Sequence, residues 1–265
     1  MPKIWGTLVI VVLNLITIPV YGDNLQDGLN AAVRGDYRTA FSILKPLAEE
    51  GNAVAQRNLG IAYHLGQGVD GDVKEAVKWY SLSAKHGNSE AQYNLGLMYY
   101  DGNGIIQDYK EAAKWFLLSA KQGNAHGQGW LGTIYFCGHG FNKDYEEAAK
   151  WYLLSAKQGL GDGQYSIGVM YQEGLGVRQD YKEAVKWYIK ASEQGKTTAQ
   201  TNLALLYGTG QGVTESFEQA YKWAYIAKLL GDKTGHELID KWEKVMPSVI
   251  IVEGQKLARK WMMRR

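Results

Sequence analysis

The chain has 265 residues, with 29 Lys and Arg against 27 Asp and Glu, a formal net charge of +2. Overall charge therefore gives no reason to expect nucleic acid or an anionic membrane surface as the partner. A single cysteine, Cys137, excludes an intramolecular disulfide, while 32 glycines beside 4 prolines suit many helices separated by glycine turns.

At the amino end, Lys3 precedes an uncharged run from Ile4 to Gly22 with the apolar centre Leu8-Val-Ile-Val-Val-Leu13. Pro19 follows that centre, and Val20-Tyr-Gly22 supplies suitable residues at the −3 and −1 positions of a cleavage site. Residues 1–22 thus read as a secretory signal peptide cut after Gly22, giving a mature start at Asp23 and a periplasmic or secreted protein. The alternative is an uncleaved anchor, because the run approaches the ~20 residues that span a bilayer. Asn14, Thr17 and Pro19 weaken that alternative, and no cysteine stands near the site to make a lipoprotein. Beyond this segment no membrane contact is expected.

Residues 23–52 read as a degenerate first unit that caps the array. Gly28 to Val33 is a short helical pattern, Gly35-Asp36 makes a turn, and Tyr37 to Glu50 places Ala40, Phe41, Ile43, Leu44, Leu47 and Ala48 at helical spacing. Pro46 lies inside that second helix, where it removes a donor and is expected to kink it.

Residues 53–232 are five copies of one unit. Trp79, Trp115, Trp151, Trp187 and Trp223 stand 36 positions apart without a slip. A fixed period of this size means stacked units burying a shared core that none could bury alone. Each copy opens with a first helix carrying Gln at 56, 92, 128, 164 and 200, and Tyr at 63, 99, 135, 171 and 207. Gly recurs at 60, 96, 132 and 168, with Ala204 in the last copy. Glycine in mid-helix costs ~1 kcal/mol relative to alanine, so its recurrence points to a neighbouring helix that approaches closely. A Gly-x-Gly turn comes next, from Gly66-Gln-Gly68 to Gly210-Gln-Gly212, its first glycine placed for a left-handed helix end.

The second helix carries Asp72/Glu75 and its equivalents Asp108/Glu111, Asp144/Glu147, Asp180/Glu183 and Ser216/Gln219, expected as reciprocal N-cap partners. Ala76, Trp79, Tyr80 and Ser83 share one stripe and are expected in the core. After Asp232 the period breaks. Residues 233–265 are expected to form two capping helices, Thr234 to Met246 and Ile250 to Met262, over the last apolar face. The fold class is all-α: an α/α superhelical solenoid of paired antiparallel helices with C-terminal caps.

The repeated pattern is carried in the second copy by Ala91, Leu95, Gly96, Tyr99, Gly102, Gly104, Asp108, Glu111, Ala112, Trp115, Ala120 and Gly123. It resembles the Sel1-like repeat, a relative of the tetratricopeptide repeat, over roughly Ala53 to Asp232, with a tetratricopeptide-like half unit before it. The resemblance implies a bacterial, often exported, superhelix that binds proteins or peptides in envelope processes. Cysteine-rich secreted relatives staple each helix pair with a disulfide, and some have been described as penicillin-binding or β-lactamase-like. Cys137 alone cannot build that framework.

No coherent catalytic, cofactor or metal set is read from the chain. Ser42-Ile-Leu-Lys45 and Lys233-Thr-Gly235 match S-x-x-K and K-T-G, but lie at opposite ends of the array with no sheet expected between them. Gly66-Gln-Gly-Val-Asp-Gly71 matches G-x-G-x-x-G without the preceding strand that a dinucleotide site needs. Cys137, His139 and His126 have no second ligand pair at zinc spacing. The expectation is a non-enzymatic scaffold binding a protein or peptide segment in its concave groove, without cofactor; the alternative is a cell-wall-related enzyme or ligand-binding protein.

The groove is expected where the copies disagree. With Ala55, Leu59, Gly60 and Tyr63 facing inward, positions 57, 61 and 64 and their equivalents form another stripe. Its candidate partner-binding residues are Arg57, His64, Tyr93, Leu97, Tyr100, Thr133, Phe136, Tyr165 and Gln172, joined by Trp130, which stands where other copies have Asn or Ser. The competing reading is that these side chains simply pack between adjacent first helices.

Overall fold

The computed structural model describes residues 21–264, with only the backbone path for residues 21–23. The signal-peptide features up to residue 20 lie outside the described residues. Within them are fourteen α-helices and no strand. A first pair, α1 (Tyr21–Val33) and α2 (Tyr37–Glu49), leads into five more: α3 (Ala53–Leu65) with α4 (Val73–Lys85), α5 (Ser89–Asp101) with α6 (Tyr109–Lys121), and α7 (Ala125–Cys137) with α8 (Tyr145–Lys157). Then come α9 (Gly161–Glu173) with α10 (Tyr181–Glu193), and α11 (Thr197–Thr209) with α12 (Phe217–Leu229). Two further helices, α13 (Lys233–Trp242) and α14 (Ser248–Met262), pack on α12. Helices adjacent in the chain pack on one another throughout the five repeats, as in a solenoid.

Each of the first four repeats closes on a glycine. A Cβ added at Gly60 would lie 2.5 Å from the ring of buried Tyr80, and the same ring-over-glycine contact recurs as Gly96–Phe116, Gly132–Tyr152 and Gly168–Tyr188. The close approach expected from the sequence is thus made by the aromatic side chain of the unit's own second helix. The second glycine of the turn has its own reason: a Cβ on Gly68 would lie 2.2 Å from the Tyr37 carbonyl, so the turn rests directly on the preceding pair.

Of the five repeat tryptophans only Trp223 is sunk in the core. Ala76, Tyr80 and Ser83 are buried, but Trp79, Trp115, Trp151 and Trp187 are only partly so. Trp115 on α6 packs against the buried cluster of α4 and α5, and Trp151 against that of α6 and α7, so each bridges its unit to the one before. A polar spine runs beside this seam. Buried Gln92 donates to the Ala84 carbonyl (3.1 Å) and accepts from Gln122 (2.7 Å), a pattern repeated by Gln128 with Gln158 and by Gln164 with Gln194. It ends at Gln200, whose buried Oε1 finds no donor because Leu230 takes the place of the glutamine.

Two sequence expectations are corrected. The reciprocal capping arrangement forms only one way: Asp72 accepts from the Lys74 and Glu75 amides, but its own amide donates to the Tyr63 carbonyl (2.9 Å). Glu75 pairs instead with Lys78, and the same arrangement recurs at Glu111–Lys114, Glu147–Lys150 and Glu183–Lys186. The first-helix carbonyl takes the amide that the glutamate would have capped. At the carboxyl end α13 stops at Trp242 rather than Met246, and the chain passes through turns at 243–245 to Met246, which Pro247 disfavours in the helical region; α14 then starts at Ser248. Helix α2 runs through Pro46, whose ring lies on the exposed side.

Candidate partner-binding groove

Among the first helices of the repeats, α5 and α7 also meet directly, across the boundary between the second and third units. All ten candidate residues are half-buried.

The middle two units gather the rings into one continuous patch. Tyr100 of α5 meets Trp130 of α7 edge-on (ring centroids 4.8 Å apart), and its hydroxyl pairs with His139 Nδ1 at 2.8 Å. His139 stacks on Tyr109 (4.7 Å), Trp130 stacks on Phe116 (5.7 Å), and Tyr93 stacks on His126 (5.3 Å). Such pairs contribute ~0.5–1.5 kcal/mol each beyond their burial. The patch rests on the fully buried Phe116 and presents the faces and edges of its other rings. Leu97 packs on the same core cluster. Burial pushes the phenols of Tyr93 and Tyr100 upward, so both stay neutral hydrogen-bonding groups and neither is poised as a base.

The other candidates are set apart from this patch. Phe136 meets Tyr145 (5.4 Å) and Tyr152 (6.4 Å), and Thr133 accepts from the Tyr152 hydroxyl at 3.1 Å. Tyr165 lies beside Tyr188, whose hydroxyl donates to Gln172 at 2.9 Å. Arg57 pairs with Glu90, and His64 stands edge-on to Tyr80 at 6.3 Å. The stripe bridges adjacent first helices through Tyr100–Trp130, Tyr93–His126 and Arg57–Glu90, and its side chains keep some exposed area. Sequence reasoning missed Tyr109, His126, His139 and Phe116 as members of the patch, since each belongs to a different part of the repeat. Their one available signal was that aromatic and His residues crowd the second and third units more than the others.

The motifs suggesting other chemistry are not assembled. Ser42 sits in α2 and donates to the Thr39 carbonyl, while Lys233 to Gly235 open α13, with ten helices between them in the chain. Gly66 is the left-handed end of α3, which accounts for the G-x-G-x-x-G match. Among the described residues no three His, Cys, Asp or Glu are placed to hold a metal, and His126 and His139 are engaged with the tyrosines. No described helix is long and apolar enough to cross a membrane.

The Sel1 repeat model matches residues 53–88, 89–124, 125–160, 161–196 and 197–232, the same five units that the tryptophans mark. A Sel1 repeat protein of Oxalobacter formigenes is 32% identical, with 83% of this chain and 88% of that one covered and a TM-score of 0.78. The protein c5321, a protective antigen of uropathogenic Escherichia coli strains with an SLR fold, is also 32% identical with a TM-score of 0.78. That alignment covers 90% of this chain but only 53% of the antigen, so this chain spans about half its length. A putative Sel1 repeat protein of Klebsiella pneumoniae, at 21% identity and a TM-score of 0.51, shares the fold. No curated protein sequence matches. With five matched units across most of its length, the chain belongs to the Sel1 repeat family.

Proposed function

We propose that this protein is a non-enzymatic adaptor of the bacterial envelope that holds a segment of another protein along its first-helix groove. Sel1 repeat proteins are generally protein-interaction scaffolds, which supports the class of function. The observation that supports the groove is the ring patch of Tyr93, Tyr100 and Trp130, with Phe136 as a separate ring farther along the same stripe: a partly exposed aromatic surface in the middle of an otherwise repeating frame. Rigid aromatics bind at low entropic cost and dominate interface energies. The envelope location rests on the signal-peptide pattern of residues 1–22.

The test is capture of partners from envelope extract on the immobilised protein, then affinity measurement with Tyr93, Tyr100 and Phe136 changed together to Ala. Loss of three anchors should weaken the captured partner at least ~10-fold while the fold is kept. Unchanged affinity for every captured partner would remove the groove assignment.

A further inference from the structure

The two ends of the array are finished differently. Among the described side chains of α1, Gln26, Asp27 and Asn30 are exposed and Val33 is the one exposed large apolar residue, the polar finish of a capping unit. Helix α14 docks through Gly254, Ala258, Ile251 and Trp261, while its opposite side mixes apolar and cationic residues. Val249, Val252 and Met263 are 72%, 61% and 84% exposed and share one stripe with Lys256, Arg259 and Lys260. From Lys241 to Arg264 there are six Lys and Arg against Glu243 and Glu253. Both acids are engaged, Glu243 accepting from Tyr221 (2.6 Å) and Glu253 pairing with Lys256 (3.2 Å).

We propose that the outer face of α14 is a docking surface for an anionic lipid bilayer. The charge of the stripe complements lipid phosphates, and its chemistry is that of a helix lying in the headgroup layer. The placement of the cations favours lipid over a partner helix. Lys256 and Lys260 lie at the middle of the stripe, so a packed helix would bury them and need matched acids against a desolvation cost. At a membrane their stems lie along the apolar side chains while the ammonium groups stay hydrated beside phosphates. The near-zero charge of the whole chain conceals this local excess.

The experiment measures partition of the full chain onto vesicles of phosphatidylcholine with and without phosphatidylglycerol. The ratio of the two cancels any contribution of the apolar run at residues 4–22 that both vesicles share. Wild type should favour the anionic vesicles, less so at high salt. Each surface cation contributes roughly fivefold, so K256Q/R259Q/K260Q should lower the ratio about a hundredfold. Lys256→Arg with Lys260→Arg should retain it. Lys74→Gln, Lys110→Gln and Lys121→Gln together, on distant α4 and α6, should change it less than about twofold because separated surface charges are screened. Equal partition of wild type onto both vesicles would overturn the proposal, as would an equal loss in the two triple variants. Preference for an acidic amphipathic peptide, without preference for anionic vesicles, would make the face a protein dock and overturn it too. Circular dichroism melts check that these exposed substitutions leave the fold intact.

Discussion

The fourth and fifth repeats solve the same packing problem with the parts rearranged. In the fourth, Tyr188 lies over Gly168 and closes α10 onto its own first helix, α9. In the fifth both partners are alanine, Ala204 and Ala224, each fully buried. The aromatic has moved three positions along α12 to Tyr221, where the other units carry Val77, Ala113, Ala149 and Val185. Three positions turn it from the first helix toward the cap, and there it meets Gly254 of α14: a Cβ on that glycine would lie 2.8 Å from the Tyr221 ring. The ring-over-glycine contact is retained but now faces outward, so the array ends by fastening α14 instead of another unit. What the frame preserves is shape at the seam, whichever residues supply it.

The largest effect expected from this comparison comes from filling the two kinds of seam. Gly96→Val should destabilise the middle of the array by more than ~3 kcal/mol, since Phe116 has nowhere to go. Gly254→Val should be equally unfavourable locally but should release only α13 and α14. Hydrogen exchange distinguishes them: the second variant loses protection in residues 233–262 while the first four repeats keep theirs. A global loss in both would mean that the cap is not a separable layer.

Next in size is the alanine pair itself. Tyr188→Ala should cost ~3–5 kcal/mol as a buried aromatic deletion and Gly168→Ala ~1–3 kcal/mol as overpacking. The double variant copies the fifth repeat and should cost at least ~1 kcal/mol less than the sum, measurable by urea unfolding. Strict additivity would show that glycine and ring are not coupled.

Smaller is the effect of alkaline pH on the interior rings. Burial raises the Tyr152 phenol to about 12 from its ordinary value of 10.0, with its hydroxyl on Thr133, and Tyr188 is raised in the same way. A raised folded pKa means that the stabilising contribution is complete below pH ~10 and is lost as pH climbs toward 12, at up to ~1.4 kcal/mol per pH unit per tyrosine. The melting temperature of wild type should fall in that window, and Tyr152→Phe should soften the fall. The fifth repeat has no ring at this position and contributes nothing to it there.

The smallest contrast separates the two halves of the cap at each second helix. Asp108→Ala removes the acceptor for the Lys110 and Glu111 amides and should cost ~1 kcal/mol. Glu111→Ala should leave the melting temperature unchanged, because Glu111 holds only the exposed Lys114 and not the cap amide.

Much of this frame was legible in the sequence because it recurs. Period, turn glycines, N-caps and the recurring Gly60 position each state a local requirement several times over. What remained illegible were relations between different positions of the repeat. That Gly60 answers Tyr80, or that Asp72 is met by the Tyr63 carbonyl, depends on how two helices cross, which spacing along one helix does not encode. The Ala204 exception was visible, but its explanation lies in Gly254, outside the period. The groove shows the same limit. Tyr93, Tyr100 and Trp130 stood out as departures on one helix face, whereas Tyr109 and His139, from a helix start and a turn, join them only through the fold. Overall charge has a similar limit, because it averages the cationic face of α14 into a nearly neutral whole.

If the first-helix stripe holds the partner, and the repeating second helices do not, the two surfaces should differ in intact cells. A photoactivatable phenylalanine analogue placed at Tyr93 or Phe136, and for comparison at Lys114 or Lys150 on the second helices, reads that difference. A discrete crosslinked partner is expected from positions 93 and 136 and none from 114 and 150. Crosslinks from 114 and 150 alone would place the partner on the second helices and refute the groove.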